Sequence, residues 1–276
     1  MFHTRTAAAV GLAAVTGFGV LALTGAGQPP AAHPPAPQSG VTPVSQVQMT
    51  PVQPQVDPAD QMITDAKASF ARVKDYMGTL VKEEKVGGQL QPEQYIAFRI
   101  RQQPFSVYLK WTGPKQFDGQ EAMYVAGKNG GKMKAKSTGL AAVAGYVSLD
   151  PTDPRAMRQS RHAITDTGIG HLIETIARGH EVARQLPPGQ VQTTYREYLF
   201  RQKQCTGMET VYKVNNGQSY CHRCVVFFDK QTKLPVRFEA YDWPASGGPA
   251  GGEKLECYSY IDLKFNVGLA DAAFGL

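Results

Sequence analysis

Two hydrophobic periods alternate along the chain from residue 57 onward. Asp57-Pro58 opens a helix, with Asp as N-cap and Pro in the first turn. Met62, Ala66, Phe70 and Val73 recur at spacings of three and four and make one apolar stripe. From Tyr76 the period becomes two. Tyr76–Val81 runs into Lys82-Glu83-Glu84-Lys85, which reads as a solvated strand end before the turn at Gly87-Gly88. Tyr95–Arg101 alternates, Ile96, Phe98 and Ile100 on one face and Arg99 and Arg101 on the other. Phe105, Val107, Leu109 and Trp111 alternate with Ser106, Tyr108 and Lys110 as far as Gly113-Pro114, and Ala122–Ala126 forms a further strand before the turn-rich Gly127–Gly131. A helix follows, capped by Thr165, with Ile169, Leu172, Ile173 and Ile176 facing the core and Pro187-Pro188 beyond its end at Leu186. Strands resume at Thr193–Arg201, Glu209–Val214, Tyr220–Asp229, Pro235–Tyr241 and Lys254–Lys264, with Asn215-Asn216-Gly217 as a hairpin signal. Helix, strands, helix, strands predicts an α+β fold: a strongly curved antiparallel sheet with helices on its concave side.

The segment before this domain has a different character. Met1–Arg5 carries one fixed positive charge, Thr6–Leu23 is uncharged and rich in Ala, Gly, Val and Leu, and Thr24-Gly25-Ala26 offers small residues for a signal peptidase. Residues 1–26 therefore read as a signal peptide, the rival being an uncleaved membrane anchor; its Ala, Gly and Thr content favours cleavage. Residues 27–58 hold nine of the chain's 19 prolines and read as a Pro/Gln-rich disordered linker. The expectation is an exported protein, periplasmic or secreted, with a single domain over 59–276.

Composition narrows the function. Over 276 residues, 42% apolar content supports a packed core, and a net charge of +6 without any run of five like charges gives no nucleic-acid patch. Contact with a membrane surface remains compatible with that charge. Gly127–Lys132 departs from a phosphate loop at Ala126 and Met133, and His180-Glu181 lacks the second zinc ligand because position 184 is Arg. His162, His171 and His180 are nine residues apart, a spacing that sends His171 and His180 to opposite sides of a helix. Neither a nucleophile elbow nor a nucleophile–base–oxyanion set is present, so the chain reads as neither an enzyme nor a metal or cofactor protein. Cys221-His222-Arg223-Cys224 precedes an apolar strand, and strand alternation would send its two cysteines to opposite faces. Cys205, Cys221, Cys224 and Cys257 are accordingly candidates for structural disulfides or free thiols ahead of a metal or redox site.

What remains is apolar surface on both halves. The candidate lining of an incompletely filled concave sheet is Leu80, Phe98, Phe105, Val107, Leu109, Trp111, Tyr124, Phe227, Phe238 and Trp243. The runs Asp75–Glu84, Pro104–Trp111, Gly119–Val125 and Tyr258–Leu269 with Phe274 resemble an uncharacterised bacterial family, domain of unknown function (DUF) 1571. Leu149-Asp150-Pro151, Ala156-Met157-Arg158, Ile164-Thr165, Gly168-Ile169-Gly170, Leu234–Arg237 and Tyr241–Pro244 also match it. That family is in turn similar to the LolA-like periplasmic lipoprotein-sorting carriers. The resemblance implies a half-open antiparallel barrel capped by helices around a lipid-sized cavity. It implies a non-enzymatic exported carrier or chaperone for an acyl chain, lipid or lipoprotein. An envelope protein-interaction or sensing module without lipid cargo, holding a partner chain in the cavity or on a sheet edge, is the alternative.

Overall fold

The chain divides into two units, residues 1–52 and 53–276. The computed structural model describes residues 56–215 and 217–275, all in the second unit. The signal peptide expected over 1–26 and the linker up to residue 55 lie outside the described residues.

Helix α1 (Pro58–Phe70) starts where the sequence places it, Asp57 Oδ1 accepting from Ala59 N at 2.9 Å. Its inward stripe is Ala59, Ile63 and Ala66, with Met62 and Phe70 at its flanks. Then come strands β1 (Asp75–Val86), β2 (Gln89–Leu90), β3 (Gln94–Arg101), β4 (Ser106–Gly113), β5 (Glu121–Val125), β6 (Met133–Lys136) and β7 (Val147–Leu149). The short α2 (Pro154–Met157) and the long α3 (Ile169–Gln185) follow. The last strands are β8 (Val191–Phe200), β9 (Lys203–Tyr212), β10 (Arg223–Asp229), β11 (Pro235–Tyr241) and β12 (Lys254–Phe265).

These strands form one antiparallel sheet in the order β7-β6-β5-β4-β3-β1-β12-β11-β10-β9-β8, with β2 paired to β1. It is curved and open, and β7 and β8 are its free edges. The α+β architecture read from the sequence is therefore the one observed. Pairing of β1 with β12 joins the beginning and end of the domain at the centre of the sheet. Every inward residue of β3 is buried there, Ile96, Phe98 and Ile100 among them, as the two-residue period requires. A chain of edge-to-face aromatic contacts crosses this centre: Phe70 to Tyr76 at 5.9 Å, Tyr76 to Phe98 at 5.7 Å and Phe98 to Tyr260 at 5.7 Å. No helix of the described residues is long and apolar enough to cross a membrane.

Two local expectations are corrected. Thr165 lies in a 3-10 turn over Ile164–Asp166, and α3 starts later, at Gly168. Gly168 has φ +116°, and a Cβ there would stand 2.4 Å from Tyr76 Oη. The helix start is held by that hydroxyl instead of a side-chain cap, since Tyr76 Oη accepts from Ile169 N at 2.8 Å. Cys221, for its part, sits before β10 and not within it, so strand alternation does not separate it from Cys224. Cys221 donates to Cys224, which pushes the Cys221 thiol up and holds the Cys224 thiol below the usual range. All four cysteines are free in the structure.

Candidate functional site

The concave face of the sheet does not close on the elements that cover it. Between β1, β3, β4, β5 and β6 on one side and the segment 151–175 on the other lies a cavity of about 360 Å³. Leu80, Ile96, Leu109, Trp111, Met133, Leu149, Leu172 and Phe238 give it apolar walls. Exposed Ser137 and Val147, with Arg155, Arg158 and Gln159 from the covering segment, form its rim toward solvent.

Of the residues singled out in the sequence, Leu80, Leu109, Trp111 and Phe238 line this cavity. Phe98 and Val107 are packed into the core beside it. Phe105 and Tyr124 pair with each other at 6.4 Å, away from the lining. Phe227 is elsewhere: it stacks on Tyr198 at 4.4 Å and meets Phe200 edge-on. Trp243 packs against His222 at 5.0 Å.

The opposite end of the cavity is polar, which the sequence reading missed. Lys82-Glu83-Glu84-Lys85 is not a solvated strand end. The alternation Leu80, Lys82, Glu84 carries the concave face of β1 onward, and Lys82 and Glu84 are 5% and 1% exposed. Glu83 and Lys85 turn outward to Lys254 at 2.6 Å and Glu253 at 2.5 Å. Across the β1–β12 ladder Lys82 faces Tyr258 and Glu84 faces Glu256, itself 1% exposed. Like charges directly opposite on a sheet repel, and desolvation adds several kcal/mol per ion, so the pair needs compensation.

The covering segment supplies it. Glu84 Oε2 accepts from Lys82 Nζ at 3.1 Å and from Arg161 N at 3.0 Å, and Glu84 Oε1 accepts from the Tyr258 hydroxyl. Glu256 Oε2 accepts from Arg161 Nε at 3.1 Å and His162 Nε2 at 2.9 Å, and lies 3.2 Å from Tyr258 Oη, whose one proton goes to Glu84. Ser160 Oγ accepts from Lys82 Nζ at 3.3 Å and donates to His162 O at 3.0 Å. Burial opposes a charge on His162, but the hydrogen bond and charge of Glu256, with Glu84 behind it, outweigh burial and hold the imidazole above its ordinary value. Burial likewise works against ionised Glu256, and His162, Tyr220 and Arg161 overcome it and keep the carboxyl below the usual range. Tyr258 is held well above the ordinary phenol by burial and by the two carboxylates. A sequence signal for this end did exist: period two continues from Tyr76 through Glu84, and Glu256, Tyr258 and Tyr260 mirror it on β12.

Asp57, Asp60 and His180 bring one donor atom each within 4.8 Å of one another, a group that could hold a metal. Their contacts account for them otherwise: Asp57 caps α1, and Asp60 accepts from His180 Nε2 at 2.9 Å and from Arg184 Nη1 at 3.2 Å.

The model of a family described as "Protein of unknown function (DUF1571)" matches residues 73–276. No curated protein matches the chain. Among solved structures, the chain is similar to an uncharacterized conserved protein from Thermus thermophilus, at 9% identity and a TM-score of 0.45 over 80% of this chain and 94% of that one. It is similar to lipoprotein LppX of Mycobacterium tuberculosis at 9% identity and a TM-score of 0.45, over 77% and 97%. A putative outer membrane lipoprotein-sorting protein domain from Vibrio parahaemolyticus is 14% identical with a TM-score of 0.36, over 78% and 97%.

Proposed function

Because the chain belongs to the DUF1571 family over residues 73–276, a family described without a function, we propose that it is a carrier or chaperone of the cell envelope. It holds an apolar chain of a lipid or lipoprotein in its concave sheet and does no chemistry on it. The observation that carries this reading is the hollow of about 360 Å³ walled by Leu80, Ile96, Leu109, Trp111 and Phe238. A dry apolar cavity of ~150 Å³ already takes up benzene, and ligand sites span ~300–1,000 Å³. The hollow is therefore large enough for an apolar chain. Against chemistry stands the pairing of the amine that meets a hydroxyl among the described residues: Lys82, 3.3 Å from Ser160 Oγ, is ion-paired to Glu84 at 3.1 Å. A serine nucleophile needs a free base at that position.

The test is native mass spectrometry of the full chain purified from its host's envelope, followed by lipid extraction. Co-purifying lipid near one per protein is expected. Protein that arrives empty and takes up neither decanol nor decanoate overturns the reading. A second reading, a protein-binding module, rests on the ten-residue edge strand β8, whose Leu199 is 76% exposed. It is favoured instead if one protein co-purifies stoichiometrically whether or not the cavity is filled.

A further inference from the structure

The polar end of the cavity has hydrogen-bond donors to spare. Gln94 and Lys82 are direct cross-strand neighbours, so both side chains rise from the same concave face; they are 2% and 5% exposed, and both line the cavity. Trp111 Nε1 donates to Gln94 Oε1 at 2.7 Å. Indole N–H is a donor only, so this contact fixes the amide orientation and leaves the Gln94 NH2 group without a hydrogen-bond partner among the described residues. That group is not sealed in protein. The fully enclosed side-chain atoms lacking a partner among the described residues are Arg101 Nε, Ser219 Oγ and Arg223 Nε. The small exposure of Gln94 is thus exposure to the cavity it lines. Lys82 has three N–H donors and spends two, on Glu84 and Ser160. The carboxylates nearby are already engaged: Glu84 accepts from Lys82, Arg161 and Tyr258, and Glu256 Oε2 accepts from Arg161 and His162. A buried donor left unpaired costs free energy that a ligand acceptor would recover.

We propose that Lys82 and Gln94 form the head-group site for a single-chain amphiphile with an anionic, carboxylate-type head, whose tail lies along Leu80, Ile96, Leu109 and Trp111. This rests on the carrier reading and narrows it. The volume admits an apolar chain, and the unspent donors select an acceptor head over an ammonium. Neighbouring charge agrees: Lys82 and Arg161, joined by His162 when protonated, match or exceed Glu84 and Glu256.

Titration of the full chain with decanoate, decanol and decylamine, followed by calorimetry and by tryptophan fluorescence, tests it. Trp111 is in the cavity wall, and the chain's other tryptophan, Trp243, is not. Decanoate is expected to bind roughly tenfold or more tighter than decanol, the worth of a charge-assisted hydrogen bond. Gln94→Glu keeps the acceptor for Trp111 but turns the NH2 into a second carboxylate oxygen. It is expected to abolish the preference for decanoate while still binding decanol, which shows that the variant is folded. Equal binding of decanoate and decanol by the unmodified protein, or preference for decylamine, overturns the head-group site and leaves the carrier reading standing. Binding of none of the three overturns both. Should Gln94→Glu fail to fold, the decanoate-to-decanol ratio of the unmodified protein decides alone.

Discussion

Gly168 is the position in the cavity's cover where one added methyl group meets both a strained backbone and a buried hydroxyl. It starts α3 at φ +116°, a region that costs a non-glycine residue ~1–3 kcal/mol. Its Cβ would also lie 2.4 Å from Tyr76 Oη and 2.9 Å from Ile100 Cδ1. The isoleucine tip can swing aside. Tyr76 has less freedom, being 1% exposed, wedged between Phe70 and Phe98, and bonded to Ile169 N at 2.8 Å. Pushing it away leaves a buried N–H unpaired, worth ~1–3 kcal/mol. Together the terms put Gly168→Ala at roughly 2–6 kcal/mol, measured by urea unfolding with unchanged slope. Tyr76→Phe alone should cost ~1–3 kcal/mol through the same orphaned N–H. The double variant is the sharper test. With Oη gone the worst overlap is gone, so the combined loss should fall short of the sum by ~1–2 kcal/mol, with the backbone strain persisting. A Gly168→Ala cost below ~1 kcal/mol, or strict additivity, refutes the account of how the cavity's covering helix is seated.

Two further outcomes are expected. The carboxylate–histidine cluster should make stability depend on pH from both sides: the raised His162 contributes fully below its ordinary value of ~6.5 and loses that contribution as pH rises through its folded value, while the lowered Glu256 contributes above ~4.5 and loses it as pH falls through its own. Urea midpoints from pH 3 to 9 should show the alkaline decline in the unmodified chain and lack it in His162→Asn. Treatment with oxidised glutathione should close Cys221 and Cys224, three positions apart and each perturbing the other's thiol, lowering the free-thiol count of the unfolded, unreduced protein from four to two; four reactive thiols after oxidation contradict the pairing.

The fold was largely legible because one-sided burial imposes period two on a strand. β11 runs over Pro235–Tyr241, the bounds its alternation marks, and Ile96, Phe98 and Ile100 point inward as read. What failed was the assumption that a charged residue ends the inward face. Lys82 and Glu84 keep the register of Leu80, and that period was the local signal their charge overrode. Their partners arrive from afar: Tyr258, bonded to Glu84, is 174 residues away, and Arg161 and His162 come from a stretch with no hydrophobic period. Thr165 misled for a related reason. Capping rules describe a helix that solves its own N-terminus, whereas α3 borrows Tyr76 from β1. Residues spaced in apolar alternation could be assigned to the concave side, but not sorted into wall and core: Leu109 lines the hollow and Val107, two positions away, does not.

Stability alone gives no reason for two glutamates to face each other beneath a covering segment. Apolar side chains of similar volume at Lys82, Glu84 and Glu256 would avoid desolvating three ions, and such replacements are commonly neutral or favourable. The network does something an apolar core would not. Arg161 and His162 draw the covering segment onto β12, and both carboxylates are engaged in doing so. Lys82 is thereby held in place with one donor unspent, next to the free amide of Gln94 and at the end of an otherwise apolar hollow. A wall that only had to repel water would need none of this. A site that must hold the polar end of a long apolar molecule in one orientation needs a fixed, desolvated donor pair, and the glutamates are the means of fixing it.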